Sequence, residues 1–158
     1  MGIDLKNWMQ NLPDGSDLLA LNLCGTHDCV TQHIRLPHFF CCQDLTIYEQ
    51  LLLGVRALDI RVRADGKCLT MVHGIFPAYN HSCHRANLMD MGDVLSQCYR
   101  FLDECPGEAV VFQFKNDNGK ENEQCFDNLF YTYIKGKEPY WYLEDRAPTL
   151  GAARGKLV

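Results

Sequence analysis

Residues Val55 to Arg63 (VRALDIRVR) alternate with period two, and residues from about Leu88 to Glu104 repeat their apolar members at spacings of three and four. The first pattern is that of a strand with two unlike faces, the second that of a helix with one apolar stripe. This succession recurs along the chain and constrains the fold more than any single motif. Leu18 to Cys24 (LLALNLC), Cys68 to His73 (CLTMVH) and Ala109 to Lys115 (AVVFQFK) read as further strands. Thr46 to Leu53 reads as a short helix closed by Gly54, and about Asn122 to Ile134 as a longer one with Cys125, Phe126, Leu129, Phe130 and Tyr133 on one face. The stripe of the 88–104 helix is Met91, Val94, Leu95, Cys98, Phe101 and Leu102, and Pro106-Gly107 ends it. Lys156, Leu157 and Val158 read as the first residues of another strand. Strands alternating with helices in this order predict an α/β fold, a parallel sheet with helices outside it.

Residues two apart on a strand share a face, so Val55, Ala57, Asp59 and Arg61 point one way and Leu58, Ile60 and Val62 the other. The second face suits the helices. The first turns from small to charged toward the end of the strand. The same reading places Leu69, Met71 and His73 together, then Val111, Gln113 and Lys115 with Asp117 just beyond, and His27 after Leu21 and Leu23. Ionisable groups thus gather at the C-terminal rim of one sheet face, where parallel sheets and barrels build their sites. Taken singly, each has an ordinary structural reading: a satisfied histidine, an Asp59–Arg61 ion pair, a solvated Lys115. Together, two histidines, an arginine, a lysine and acidic orienters are what metal-free phosphodiester cleavage needs: a base, an acid and fixed positive charge.

Composition narrows the partners. With 15 basic against 20 acidic residues the net charge is −5, and no broad basic surface invites nucleic acid. The 158 residues, 47% of them hydrophobic, suffice for one core, so the chain is one domain or part of one, spanning 1–158. No apolar run reaches the roughly 18 residues of a membrane span and no signal-peptide core is evident, so a soluble or peripheral protein is expected. Met1-Gly2 opens like a myristoylation site, but Lys6 stands where a hydroxyl residue belongs. Asn80-His81-Ser82 fits a glycosylation sequon, a pattern short enough to arise by chance. Nine cysteines, two of them adjacent at 41 and 42, predict reduced and mostly buried thiols.

The chain resembles the phosphatidylinositol-specific phospholipase C family in its X region, from about Trp8 to the last residue. The resemblance is carried by Leu23 to Cys29 (LCGTHDC), Gln50 to Arg61 (QLLLGVRALDIR), Val72-His73-Gly74, Phe101-Leu102 with Pro106-Gly107-Glu108, Phe114-Lys115, and Pro148 to Lys156. Its specificity lies in the ordered combination. The resemblance implies a TIM-type (βα) barrel of the phospholipase C-like phosphodiesterase kind. It also implies cleavage of phosphatidylinositol-type lipids, at a membrane, to diacylglycerol and an inositol cyclic phosphate. His27 would be the general base acting on the inositol 2-hydroxyl and His73 the general acid for the leaving diacylglycerol oxygen. Arg61 would bind the phosphate, Asp28 would support the acid histidine, and Asp59 would hold the arginine. Lys115 and Asp117 would contact inositol hydroxyls.

The family's calcium-dependent branch has carboxylates at the positions of Arg61 and Lys115. Two cations there imply the metal-independent branch, with the guanidinium doing the ion's electrostatic work and no cofactor required. Cys29 replaces a small hydroxyl residue, which predicts lower activity or redox sensitivity. A nucleophilic Cys29 with His27 as its base is disfavoured. A whole barrel takes about 250 residues, so this chain is expected to supply the N-terminal half, about four to five strands, and no residue in it is assignable as the carboxylate partner of His27. Three other readings stand beside this one. Cys68, His81, Cys83 and His84, or His38, Cys41 and Cys42, would be zinc ligands without paired spacing. A metal-dependent glycerophosphodiesterase-like barrel would want several carboxylates. An inactive half-barrel would bind phosphoinositide or protein without turnover. The aromatic stretch Tyr131 to Tyr142 reads as helix-face core plus loop rather than membrane contact.

Overall fold

The computed structural model describes residues 2, 4–65, 67–81, 87–117 and 123–158. Among them, strands β1 (Gly25–Thr26), β2 (Ala57–Ala64), β3 (Leu69–His73), β4 (Phe76–Pro77) and β5 (Val111–Asn116) form one sheet. The helices are α1 (Pro37–Phe40), α2 (Ile47–Leu52), α3 (Met91–Glu104), α4 (Glu123–Ile134) and α5 (Leu150–Ala153). Strand β2 organises the sheet. One edge pairs in parallel with β5 from Ala57↔Val111 to Val62↔Asn116. The opposite edge is shared: β1 pairs in parallel at Ala57 and Leu58, and β3 pairs antiparallel at Val62 to Ala64.

The all-parallel expectation fails at β3. Asp65 accepts backbone N–H bonds from Lys67 and Cys68, folding an Asx-type turn that reverses the chain. So short a connection makes a hairpin, whereas a parallel crossover needs a dozen residues or more. Ala64↔Leu69 and Val62↔Met71 are cross-strand neighbours, so Leu69 and Met71 lie on the buried face and not on the rim face as the period suggested. Beyond Met71 the strand leaves β2 and pairs with β4 at His73↔Phe76. A fork opens between β1 and β3, opposite Asp59 to Arg61.

Leu18 to Cys24 is not a strand. Asp17 caps a 3-10 turn at Leu18–Ala20 by accepting from the Leu19 N–H, and the ladder begins only at Gly25. Lys156 to Val158 runs beside the start of β5 through a parallel bridge, Val110↔Leu157, as a further strand would.

Strand β2 alternates in burial as in sequence. Leu58, Ile60 and Val62 share one buried core cluster with the α3 stripe of Met91, Val94, Leu95, Cys98, Phe101 and Leu102. Each such side chain contributes about 1.5–3 kcal/mol. Helix α3 begins later than the stripe alone suggested, because Asp90 and Asp93 form a capping box there. Phe126, Leu129, Phe130 and Tyr133 of α4 pack on the core, while Cys125 is exposed, contrary to its place in the stripe. Trp141 is buried and donates to Tyr99, which makes the aromatic stretch core at that point. The described cysteines carry no disulfide; Cys29, Cys98 and Cys105 are buried, whereas Cys24 and Cys42 are exposed, so the thiols are less buried than expected. Asn122, Cys83, His84 and the Ser82 of the sequon lie outside the described residues. No described helix is long and apolar enough to cross a membrane.

At the N-terminal end of β2 a second cluster, Met9, Leu18, Ala109, Leu150 and Ala153, closes over a sealed ion pair. Arg56 and Glu108 meet at 2.7 Å with both side chains at zero exposure. The remaining guanidinium hydrogens go to the carbonyls of Leu51, Val55 and Lys6, and Glu108 accepts from the backbone N–H groups of Met9 and Gln10. Arg154 binds the carbonyls of Gly107 and Leu12 and the carboxylate of Asp14. Three residues of the sequence motifs therefore tie the N-terminal segment under the sheet.

Candidate active site

At the other end of β2, Asp59 and Arg61 stand two residues apart on the face away from the helices, joined by bonds of 2.8 and 3.0 Å. Burial pulls the Asp59 carboxyl upward, but hydrogen bonds from Arg61 and His27 outweigh it and hold it below the ordinary aspartate range. The Asp59 carboxylate in turn raises Arg61. Asp59 also faces Nδ1 of His27 at 2.7 Å. The base candidate therefore has a carboxylate partner within this chain, which the sequence did not reveal. Asp59 bridges base candidate and phosphate-binding candidate.

Asp28 sits in the left-handed region at φ 44, a strained conformation that aspartate tolerates better than most residues. The turn is held by Cys29 N–H donating to the Asp59 carbonyl across the fork, by Thr31 Oγ1 on the Asp28 carbonyl, and by Gln50 on the Cys29 carbonyl. It aims Asp28 Oδ2 at Nε2 of His27, 3.1 Å away, and at Nε2 of His73, 3.5 Å away. His73 arrives from β3 after that strand has left the sheet, and its Nδ1 donates to the Phe40 carbonyl at 3.0 Å. A carbonyl can only accept, so Nδ1 carries the hydrogen and Nε2 faces the site. Each imidazole is thus pinned through Nδ1 and presents Nε2 to one shared carboxylate oxygen.

Arg61 and Lys115 are cross-strand neighbours. Asp117 lies 3.7 Å from Arg61 and 3.2 Å from Lys115. All seven residues singled out in the sequence converge. Sequence reasoning missed Phe40 and Gln43, which donates to the His27 carbonyl at 3.0 Å, and no local pattern marks either. Cys29 is wholly buried in the core and burial pushes its thiol well up, which removes it as a nucleophile and shields it from oxidants.

Neither suspected zinc set assembles among the described residues. Cys68 lies against Asp65 and Thr70, and Cys83 and His84 are outside them. The metal-competent group that does converge is His27, Asp28 and Cys42. A groove of about 570 Å³ lies elsewhere, on the helix side, lined among others by Tyr99, Asp103, Lys137 and Tyr140. It contains no histidine, and the acid-base geometry makes the fork the candidate site.

No protein-family model matches the chain. The chain is 27% identical over 167 residues to the 1-phosphatidylinositol phosphodiesterase of Listeria monocytogenes, covering 99% of itself and 48% of that protein. It is 28% identical to the enzyme of the same name from Staphylococcus aureus, covering 97% of itself and 49% of that protein. A crystal structure of the Staphylococcus aureus phosphatidylinositol-specific phospholipase C superposes with a TM-score of 0.82 at 28% identity, over 98% of this chain and 52% of that one. The chain spans about half the length of the curated relatives it matches, and its architecture is that of a partial barrel of this kind.

Proposed function

From this chain's relation to the bacterial phosphatidylinositol-specific phospholipases C, we propose that it carries the first-half chemistry of a phosphodiesterase that cleaves phosphatidylinositol-type lipids without a metal ion. The observation that carries the reading is the pair of imidazoles presenting Nε2 to one Asp28 oxygen, with Arg61 tied to the first of them through Asp59.

His27, with its Nδ1 hydrogen on Asp59, takes the 2-hydroxyl proton of inositol at Nε2. The alkoxide attacks phosphorus and the bond to the diacylglycerol oxygen breaks. His73, doubly protonated, gives its Nε2 proton to that oxygen and keeps its Nδ1 hydrogen on Phe40. The products are diacylglycerol and inositol 1,2-cyclic phosphate. Arg61 offers its Nη1 edge, on which Asp117 is no closer than 3.7 Å, to the phosphoryl oxygens as charge builds there. Lys115 and Asp117, beyond the arginine, bind inositol hydroxyls. Asp28 Oδ2 lies between the two rings, 3.1 Å from Nε2 of His27 and 3.5 Å from Nε2 of His73.

A lipid surface suits the rim beside His73. Phe40 packs on Phe76 at 4.4 Å, while Phe39 is 80% exposed and Ile75 67% exposed. Such apolar tips beside a polar site fit a transient, peripheral encounter with a membrane. One alternative is binding of phosphoinositide without turnover. The test supplies phosphatidylinositol vesicles with chelator present and follows cyclic inositol phosphate by phosphorus NMR. The expected result is turnover that falls about 10²–10⁴-fold in His27→Ala and in His73→Ala. Turnover that survives both substitutions sinks the mechanism, turnover abolished by chelator sinks the metal-free claim, and vesicle binding with no turnover selects the alternative.

A further inference from the structure

We infer that the fork also holds one thiophilic divalent cation such as Zn²⁺, bound by His27, Asp28 and Cys42, and that the bound ion silences the base. The candidate ligand atoms of these residues lie within 4.8 Å of one another. Tetrahedral zinc, with bonds of about 2.0–2.3 Å, sets its ligand atoms roughly 3.3–3.8 Å apart, so small side-chain rotations close the set. Nitrogen, oxygen and sulfur together suit zinc and its neighbours, and not calcium or magnesium, which want oxygen alone.

A second observation points the same way. Asp28 is 2% exposed, and its Oδ1 is buried with no hydrogen-bond partner in the protein. A carboxylate oxygen in that state is costly, and a cation on the carboxylate offsets the cost. Cys42 is exposed, and its thiol lies 3.8 Å from the Phe40 carbonyl and 3.9 Å from Nδ1 of His73, both long contacts. It is available to a ligand and gives its proton to solvent on binding. With Nδ1 of His27 on Asp59, the ligating nitrogen is Nε2, the lone pair assigned above to the inositol hydroxyl. The inhibitory consequence rests on that assignment; the binding does not.

The binding test needs no lipid. The whole chain is titrated with Co²⁺ and, in competition with a chromophoric chelator, with Zn²⁺. One equivalent is expected to bind with a thiolate-to-cobalt charge-transfer band. Cys42→Ala should abolish the band, and His27→Ala and Asp28→Asn should each weaken Zn²⁺ at least about tenfold, while Cys41→Ala and Cys68→Ala leave both readouts unchanged. Circular dichroism confirms that each variant is folded. Absence of stoichiometric binding overturns the inference, as does binding that depends on Cys41 and Cys42 but not on His27, which would be a vicinal-thiol site. In the vesicle assay, Zn²⁺ should inhibit wild type and its effect should shift at least tenfold in Cys42→Ala relative to that variant's own metal-free rate. Binding without inhibition would count against the assignment of His27 as base and leave the metal site standing.

Discussion

Strand β2 meets two arginine–carboxylate pairs that share their chemistry and differ in surroundings. Arg56 and Glu108, at the N-terminal end, have zero side-chain exposure, while Arg61 and Asp59, toward the C-terminal end, are 24% and 18% exposed. Every hydrogen of the Arg56 guanidinium is spent on protein, and Phe101 stacks 4.6 Å from its centre. Burial pulls the pKa of Arg56 down, against the opposing pull of Glu108. Such a pair is a structural cross-tie, since nothing can reach it. Arg61 is oriented by Asp59 through Nε and Nη2, and its Nη1 lies 3.7 Å from Asp117. Pairs of like chemistry thus differ according to which end of the strand holds them: one is sealed into the fold, the other lies part-exposed at the candidate site.

Breaking the sealed pair should have the largest effect. Arg56→Ala leaves Glu108 buried without its cation and should cost about 3–5 kcal/mol of stability, read as the shift in a urea unfolding midpoint. A loss below 1 kcal/mol would show the two ends to be energetically alike. Next, Arg61→Ala should lower turnover about 10²–10³-fold while stability changes by about 1 kcal/mol or less. A stability loss as large as that of Arg56→Ala would erase the distinction.

The smallest effect concerns acid. The Asp59 carboxyl is held below its ordinary value in the folded protein. Its contribution to stability is therefore full above the unfolded aspartate range, near pH 3.9, and fades as pH falls through the lower folded value. Asp59→Asn should flatten that part of the stability–pH curve and leave the neutral limb parallel to wild type. An unchanged acid limb would mean that the Asp59 hydrogen bonds carry no stabilisation.

What could be read in advance followed locality. The α3 stripe lies within one helix, so its spacing alone named the six residues that the helix buries. The β2 alternation named both faces of that strand, including Asp59 and Arg61. The β3 faces were misread because the period specifies alternation and not which partner the strand meets. The turn at Asp65 set that register, and the Asp-Gly dipeptide at 65–66 was the hairpin signal that could have revealed it. The carboxylate partner of His27 was missed because Asp59 is 32 residues away and already accounted for by Arg61.

The sequence by itself determined the alternation of strand and helix and the core stripe, because propensity and periodicity act over a few residues, and its resemblance to a known family added the full set of seven polar residues. Only the tertiary structure decided that one edge of β2 is split between β1 and β3. From that fork follow the two imidazoles on one Asp28 oxygen, the carboxylate partner of His27, and the thiol of Cys42 beside the site. These are contacts between distant segments, and they exist only once the hairpin, the β1 turn and the sealed Arg56 tie have brought those segments together.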